Sequence, residues 1–234
     1  MPDLPRLRQA VIAARDLDAV ARTLRTRLGL GEPYADPGVE HFGLRNAVFA
    51  LRDTFLEVVS PIRPDTAAGR LIERRGGDTG YMLMFQVEDL AAARERARRE
   101  QVREVFEVTL DDMAEVHLHP ADMRAAIVSL SQPSPREAWR WGGPDWSARR
   151  APLRVEGATI TVARPVGVAA RWQSILDAQL ADVGVRVSAH VEDRGVTEVI
   201  LTADDPPDER EPIVIGGVRF VFEQDEDGAE SPYE

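Results

Sequence analysis

The sequence predicts an α+β fold built from repeated βαβββ modules. Two observations predict it. A strand-then-helix pattern occurs three times along the 234 residues, and after each copy the apolar period changes from that of a helix to that of a strand. The copies recur at spacings of roughly 75 residues. In the first, residues 7–30, Gln9 to Ala14 form a short β-compatible run and Asp16 supplies an N-cap. Leu17, Val20, Leu24 and Leu28 then recur at helical spacing up to Gly29 and Gly31. In the second, residues 80–102, Asp89-Leu90 matches Asp16-Leu17 and Met82 falls where Gln9 does. In the third, residues 157–180, Ala163-Arg164 matches Ala14-Arg15 and Pro165 takes the first helical turn.

Strand patterns follow each helix. They are predicted over 39–43, 46–51 and 54–60 in the first module and over 102–108, 115–119 and 125–130 in the second. The third offers 185–191, 197–202 and 213–222. The closing segments align, FLEVVSP (55–61) over IVSLSQP (127–133), which sets Ser129 opposite Glu57. The chain divides into modules over 1–64 and 65–133, a linker over 134–152, a third, divergent βαβββ-like module over 153–223 and an acidic tail over 224–234. The linker carries Trp139, Trp141 and Trp146. Rings of that size are expected to fold back onto a module surface, in a packing role rather than as ligand-stacking groups. The tail is expected to be a solvated, disordered stretch.

Composition removes several function classes. Forty acidic residues against 29 basic ones leave a formal charge of -11, which argues against nucleic acid as a partner. The chain has no cysteine, so disulfides, thiolate nucleophiles and cysteine-ligated metals are excluded. All 29 basic residues are arginine, which rules out Schiff-base and P-loop chemistry. Without an apolar run of membrane length, the expectation is a cytoplasmic protein with no membrane partner.

The strand–helix joints VIAARDLDAV (11–20) and MFQVEDLAAA (84–93), the closing strand FLEVVSP (55–61) and the segment HLHPADMRAAIVSL (117–130) resemble the vicinal oxygen chelate superfamily. That superfamily includes glyoxalase I, bleomycin resistance proteins, extradiol dioxygenases and methylmalonyl-CoA epimerase. The resemblance implies that two modules pair into an open, curled β-sheet bowl, with a third partial module at the C-terminus. It also implies a divalent metal in the bowl, held by one residue from the first and one from the last strand of each module. Here those four positions are Gln9, Glu57, Met82 and Ser129. An amide, a carboxylate, a thioether and a hydroxyl make a poor site for zinc, nickel, manganese or iron(II), so no cofactor is expected.

Glu57 interrupts an apolar strand at a position the resemblance points into the cavity. A carboxylate buried there needs a partner, and desolvation is expected to raise its pKa toward that of a general base. The alternative is a structural pair with Gln9 or an arginine, with no chemistry. Met82 and Met84, with Gln9 and Ser129, are expected to line the bowl and meet an apolar ligand. His117 and His119, two apart on a predicted strand, are with Glu57 the alternative metal set; His119 otherwise opens a turn before Pro120. Two functions follow: a metal-free module holding a small organic molecule, or a Glu57-based or metal-dependent lyase, isomerase or epimerase acting through an enolate, with ring-cleaving dioxygenation a lesser option. An unpaired third module would have to cover its apolar sheet face, either against the first two modules or against its counterpart in another chain, and a homodimer is expected.

Overall fold

The computed structural model describes residues 3–203 and 211–224; the acidic segment 225–234 lies outside the described residues. The first module runs β1 (Arg6–Ala13), α1 (Leu17–Leu28), β2 (Leu44–Leu51) and β3 (Thr54–Pro61). After α2 (Ala67–Arg75), the second runs β4 (Thr79–Gln86), α3 (Leu90–Arg99), β5 (Glu104–Thr109), β6 (Met113–Leu118), a single turn α4 (Pro120–Met123) and β7 (Ile127–Pro133). Asp16 and Asp89 cap α1 and α3 by accepting the N–H of Ala19 and Ala92, and Gly29 ends α1 in the left-handed region.

These strands form one open mixed sheet in the order β2-β3-β1-β4-β7-β6-β5. Each module contributes a parallel first–last pair, β1 with β3 and β4 with β7, and antiparallel β1–β4 pairing joins the modules. The predicted strand over 39–43 is instead a 3₁₀ helix, Pro37–Phe42. Pro37 withholds a ladder N–H, Asp36 accepts from the Gly38 N–H, and Gly43 turns the chain at φ 70. The helix α2, capped by Thr66, was not anticipated from the sequence.

A second open sheet is built from β8 (Leu153–Val162), β9 (Val185–Ala189), β10 (Gly195–Ala203), β11 (Ile213–Ile215) and β12 (Val218–Gln224), in the order β11-β12-β10-β8-β9. Its helix is α5 (Pro165–Leu176), with Pro165 at the first turn. The stretch 213–222, predicted as one strand, is a hairpin: Gly216 and Gly217 both take positive φ, at 57 and 72, as a two-residue turn between twisted strands requires. At its centre this sheet repeats the scheme of the first. β10 lies antiparallel to β8 and carries β12 parallel beside it, as β1 lies antiparallel to β4 and carries β3.

Alternation sorts each strand of the first sheet into two faces. Ala10, Ile12, Leu56, Val58, Leu83 and Phe85 point to the face covered by α1, α3 and the second sheet, in one core with Val155, Ala158, Ile160 and Val199. Trp172 of α5 is fully buried there, edge-on to Phe85, and donates its N–H to the Met123 carbonyl at 3.0 Å. Arg96 of α3 donates to the Ile175 carbonyl, which ties that helix to α5. The apolar face of the second sheet, on which the homodimer expectation rested, is thus packed inside the chain. Its other face is polar, with Thr159 and Arg219 both bonded to Glu198. No helix among the described residues is long and apolar enough to cross a membrane.

Candidate active or binding site in the bowl

The open face of the seven-stranded sheet carries a cavity of about 980 Å³. Its floor comes from alternate residues of β1 to β4, among them Gln9, Asn46, Glu57, Met82 and Met84. The segment after β7 crosses above them and adds Trp139, Trp141 and Trp146 to the wall. The three tryptophans do fold back onto the sheet, yet they face the cavity as well as packing.

Glu57 sits in the middle of β3, paired with Val11 of β1 on one side and Val48 of β2 on the other. It is 6% exposed. Gln9 Nε2 donates to its Oε2 at 2.7 Å and Asn46 Nδ2 donates to its Oε1 at 2.6 Å. Both amides are held in that sense by their other ends. Trp139 Nε1 donates to Gln9 Oε1 at 2.7 Å, and the Asp36 backbone N–H donates to Asn46 Oδ1 at 2.8 Å. A flip of either amide would put donor against donor, so the network fixes its own orientation. The two bonds favour the carboxylate, but burial outweighs them, and the nearby acids Asp36 and Glu115 add to it. The Glu57 carboxyl is pushed up to about 7.

A second buried carboxylate, Glu115 of β6, faces the same cavity at 3% exposure. Its Oε2 accepts from Trp141 Nε1 at 2.7 Å and from Ser131 Oγ at 2.5 Å, and its Oε1 lies 2.6 Å from His117 Nε2. Sequence reasoning missed Glu115, although Met113, Glu115 and His117 alternate along one strand. It also missed Asn46, the one asparagine of the chain, and the Trp139 bond to Gln9, which joins residues 130 apart.

At Arg8 a register shift in the β1–β4 ladder, between Leu7 and Gln9, puts Arg8 against Phe55 and Trp139 as well. Its guanidinium lies 5.1 Å from the Trp139 ring centre and donates to the Gln86 side chain and to the Glu137 carbonyl. Burial lowers its pKa, and the ring faces offset part of the desolvation.

Of the residues singled out from sequence, Gln9, Glu57, Met82 and Met84 meet at the cavity. Ser129 does not reach its wall; it is fully buried, with Oγ 3.0 Å from Ser131 Oγ. His117 lines the cavity beside Phe106, at 4.8 Å between ring centres. His119 does not join it. It caps α4, with Nδ1 accepting the Ala121 N–H at 3.0 Å, because Pro120 ends the strand there. The alternative metal set Glu57, His117 and His119 is therefore not assembled. Nor do the four superfamily positions fit a divalent transition metal: Glu57 is the single anionic donor, both its oxygens already accept hydrogen bonds, and Gln9 Oε1 is taken by Trp139. Among the described residues no cluster of three or more histidine, aspartate or glutamate side chains has metal-holding geometry.

Comparison with known proteins agrees with this architecture. Ethylmalonyl-CoA/methylmalonyl-CoA epimerase of Cereibacter sphaeroides is 27% identical over 133 residues, 54% of this chain and 97% of that protein. A variant of Streptomyces coelicolor methylmalonyl-CoA epimerase, solved with 2-nitronate-propionyl-CoA, aligns at a TM-score of 0.51 and 23% identity, over 58% of this chain and 100% of that one. A hypothetical protein from Staphylococcus aureus aligns over 95% of this chain and 100% of its own, with a TM-score of 0.68 and 12% identity, so its likeness in fold extends over both sheets. The model of the glyoxalase-like domain matches residues 10–176. The chain, with its paired modules and open bowl, belongs to the glyoxalase-like domain family of the vicinal oxygen chelate superfamily.

Proposed function

We propose that the bowl binds a small, largely apolar organic molecule without the divalent metal of the superfamily. The observation that carries this reading is the cavity itself. At about 980 Å³ it is at the upper end of the range typical of small-molecule sites, and its methionine and aromatic walls surround a few fixed polar groups. Gln9, Asn46 and Glu57 are held by their neighbours before any ligand arrives, so little ordering is required on binding.

Thermal shift and calorimetry against small aromatics and acyl compounds, including CoA thioesters, test it. Wild type is expected to be stabilised by at least one class and a cavity-filling Met84→Trp variant by none. Equal stabilisation of both proteins, or of neither, would overturn the reading. Elemental analysis addresses the metal: stoichiometric metal that disappears in Glu57→Ala would overturn the metal-free part.

A second reading is favoured by the position of the Glu57 titration, at about 7. In an isomerase or epimerase acting through an enolate, the Glu57 carboxylate would take a proton from the carbon next to an acyl carbonyl to form the enolate, and inversion would need a second acid to protonate the opposite face. The epimerase relatives act on CoA esters, which makes acyl thioesters the compounds to try. Exchange of the α-proton for deuterium, followed by NMR and lost in Glu57→Gln, would establish it.

A further inference from the structure

The charges on the cavity wall are unevenly matched. Four acids line it, Asp36, Glu57, Asp112 and Glu115, against Arg140 and His117. Arg140 Nη1 is spent on Asp112, at 2.8 Å from Oδ1, and His117 is bonded to Glu115. The nearby Arg8 is committed to Gln86, the Glu137 carbonyl and the ring of Trp139. Glu57 is left with amide donors, and the charged groups that act on it are two further acids, Asp36 and Glu115. Around this acidic floor stand the rings of Tyr34, Phe42, Phe106, Trp141 and Trp146. Arg149 already lies over Tyr34 at 5.6 Å and Arg8 lies 6.0 Å from the Trp146 ring centre, which among the described residues leaves Phe42, Phe106 and Trp141 without an arginine on them.

Aromatic faces attract a cation and are indifferent or hostile to an anion, and carboxylates in a water-poor cavity act in the same sense. We propose that the molecule held in the bowl is an organic cation, an ammonium group on an apolar body, with its charge beside Glu57 and its body against the aromatic wall. An acyl anion would meet acids on the floor, and among the described residues that line the wall the two cationic side chains, Arg140 and His117, are already paired. The chain therefore differs in ligand class from the epimerases that share its fold. This inference rests on the bowl being the binding site, and the experiment separates the two.

Three probes share one body and differ in charge: tert-butylbenzylammonium, tert-butylbenzyl alcohol and tert-butylbenzoate. Calorimetry at pH 8 and low salt is expected to give the order ammonium, alcohol, benzoate, with the ammonium at least about tenfold tighter than the alcohol. In Glu57→Gln that gap is expected to narrow to about twofold. Asp36→Asn, which keeps the acceptor for the Gly38 N–H, guards against a misfolded Glu57 variant; it is expected to narrow the gap between ammonium and alcohol about threefold. An alcohol or benzoate that binds as tightly as the ammonium overturns the cation and leaves the bowl as a site. An ammonium preference that survives both substitutions also overturns it, by placing the cation elsewhere on an acidic protein. Failure of all three probes overturns the cation and the bowl together.

Discussion

Replacing Glu57 by glutamine is expected to change how stability depends on pH, and the size of the change follows from the burial of one carboxyl. In the unfolded chain this group has an ordinary pKa near 4.5; in the folded protein it is pushed up to about 7. Below 4.5 both states hold the proton, and Glu57 makes its full contribution to stability. Between the two values the folded state binds more protons than the unfolded one, so stability falls as pH rises, by about 1.4 kcal/mol per pH unit. Above about 7 both states are ionised and the loss is complete. The interval of about 2.5 units corresponds to about 3 kcal/mol. Glu57→Gln removes this contribution. Groups of opposite sign, such as Asp53, whose pKa is lowered beside Arg6, titrate alike in both proteins and cancel in the difference. Urea unfolding of both proteins between pH 4 and pH 8 measures it. The stability of wild type relative to the variant should drop by about 3 kcal/mol across that range. Parallel curves, or a wild type that gains on the variant as pH rises, would refute the reasoning and indicate a cation paired with Glu57.

Three further outcomes follow from the same geometry. Trp139→Phe keeps a ring but leaves Gln9 Oε1 without its donor; it should cost about 1–3 kcal/mol in urea unfolding and move the Glu57 titration further up as Gln9 gains freedom to turn. Gly80→Ala sets a Cβ 2.3 Å from the Val196 carbonyl oxygen, where the two sheets meet; a loss of about 2 kcal/mol or more, seen as an earlier unfolding midpoint, is expected. Asp122→Asn breaks a two-point ion pair with Arg103 that holds the Asp122 carboxyl well below the usual range, yet the Arg103 side chain is 62% exposed. Solvent screening should leave the urea unfolding midpoint nearly unchanged.

Much of the fold was legible because its signals are local. Asp16 and Asp89 before an apolar helical stripe, and the period-two runs that follow, mark the strand–helix openings without any knowledge of what packs on them. The stretch from Pro37 to Phe42 misled because Val39 and Phe42 have strand-like side chains, while the proline and the flanking Asp36 and Gly43 decide the backbone. The hairpin at Gly216-Gly217 was readable, and its two glycines were passed over within an apolar run. At the site, Glu57 stood out as an acid inside an apolar strand. Its second donor, Asn46, and the tryptophan that orients Gln9 depend on contacts across strands and across a long connection, which spacing along the chain does not encode. The second carboxylate, Glu115, went unnoticed because the segment around it reads as an ordinary alternating strand.

Entry of ligands into the bowl against the Glu57 floor is tested directly by methyl NMR on methionine-labelled protein. Met82 and Met84 lie on the cavity wall and Met123 in the core behind the sheet. Titration with tert-butylbenzylammonium should shift the Met82 and Met84 methyl signals and leave Met123 in place; saturable binding that moves Met123, or moves none of the three, would contradict the account.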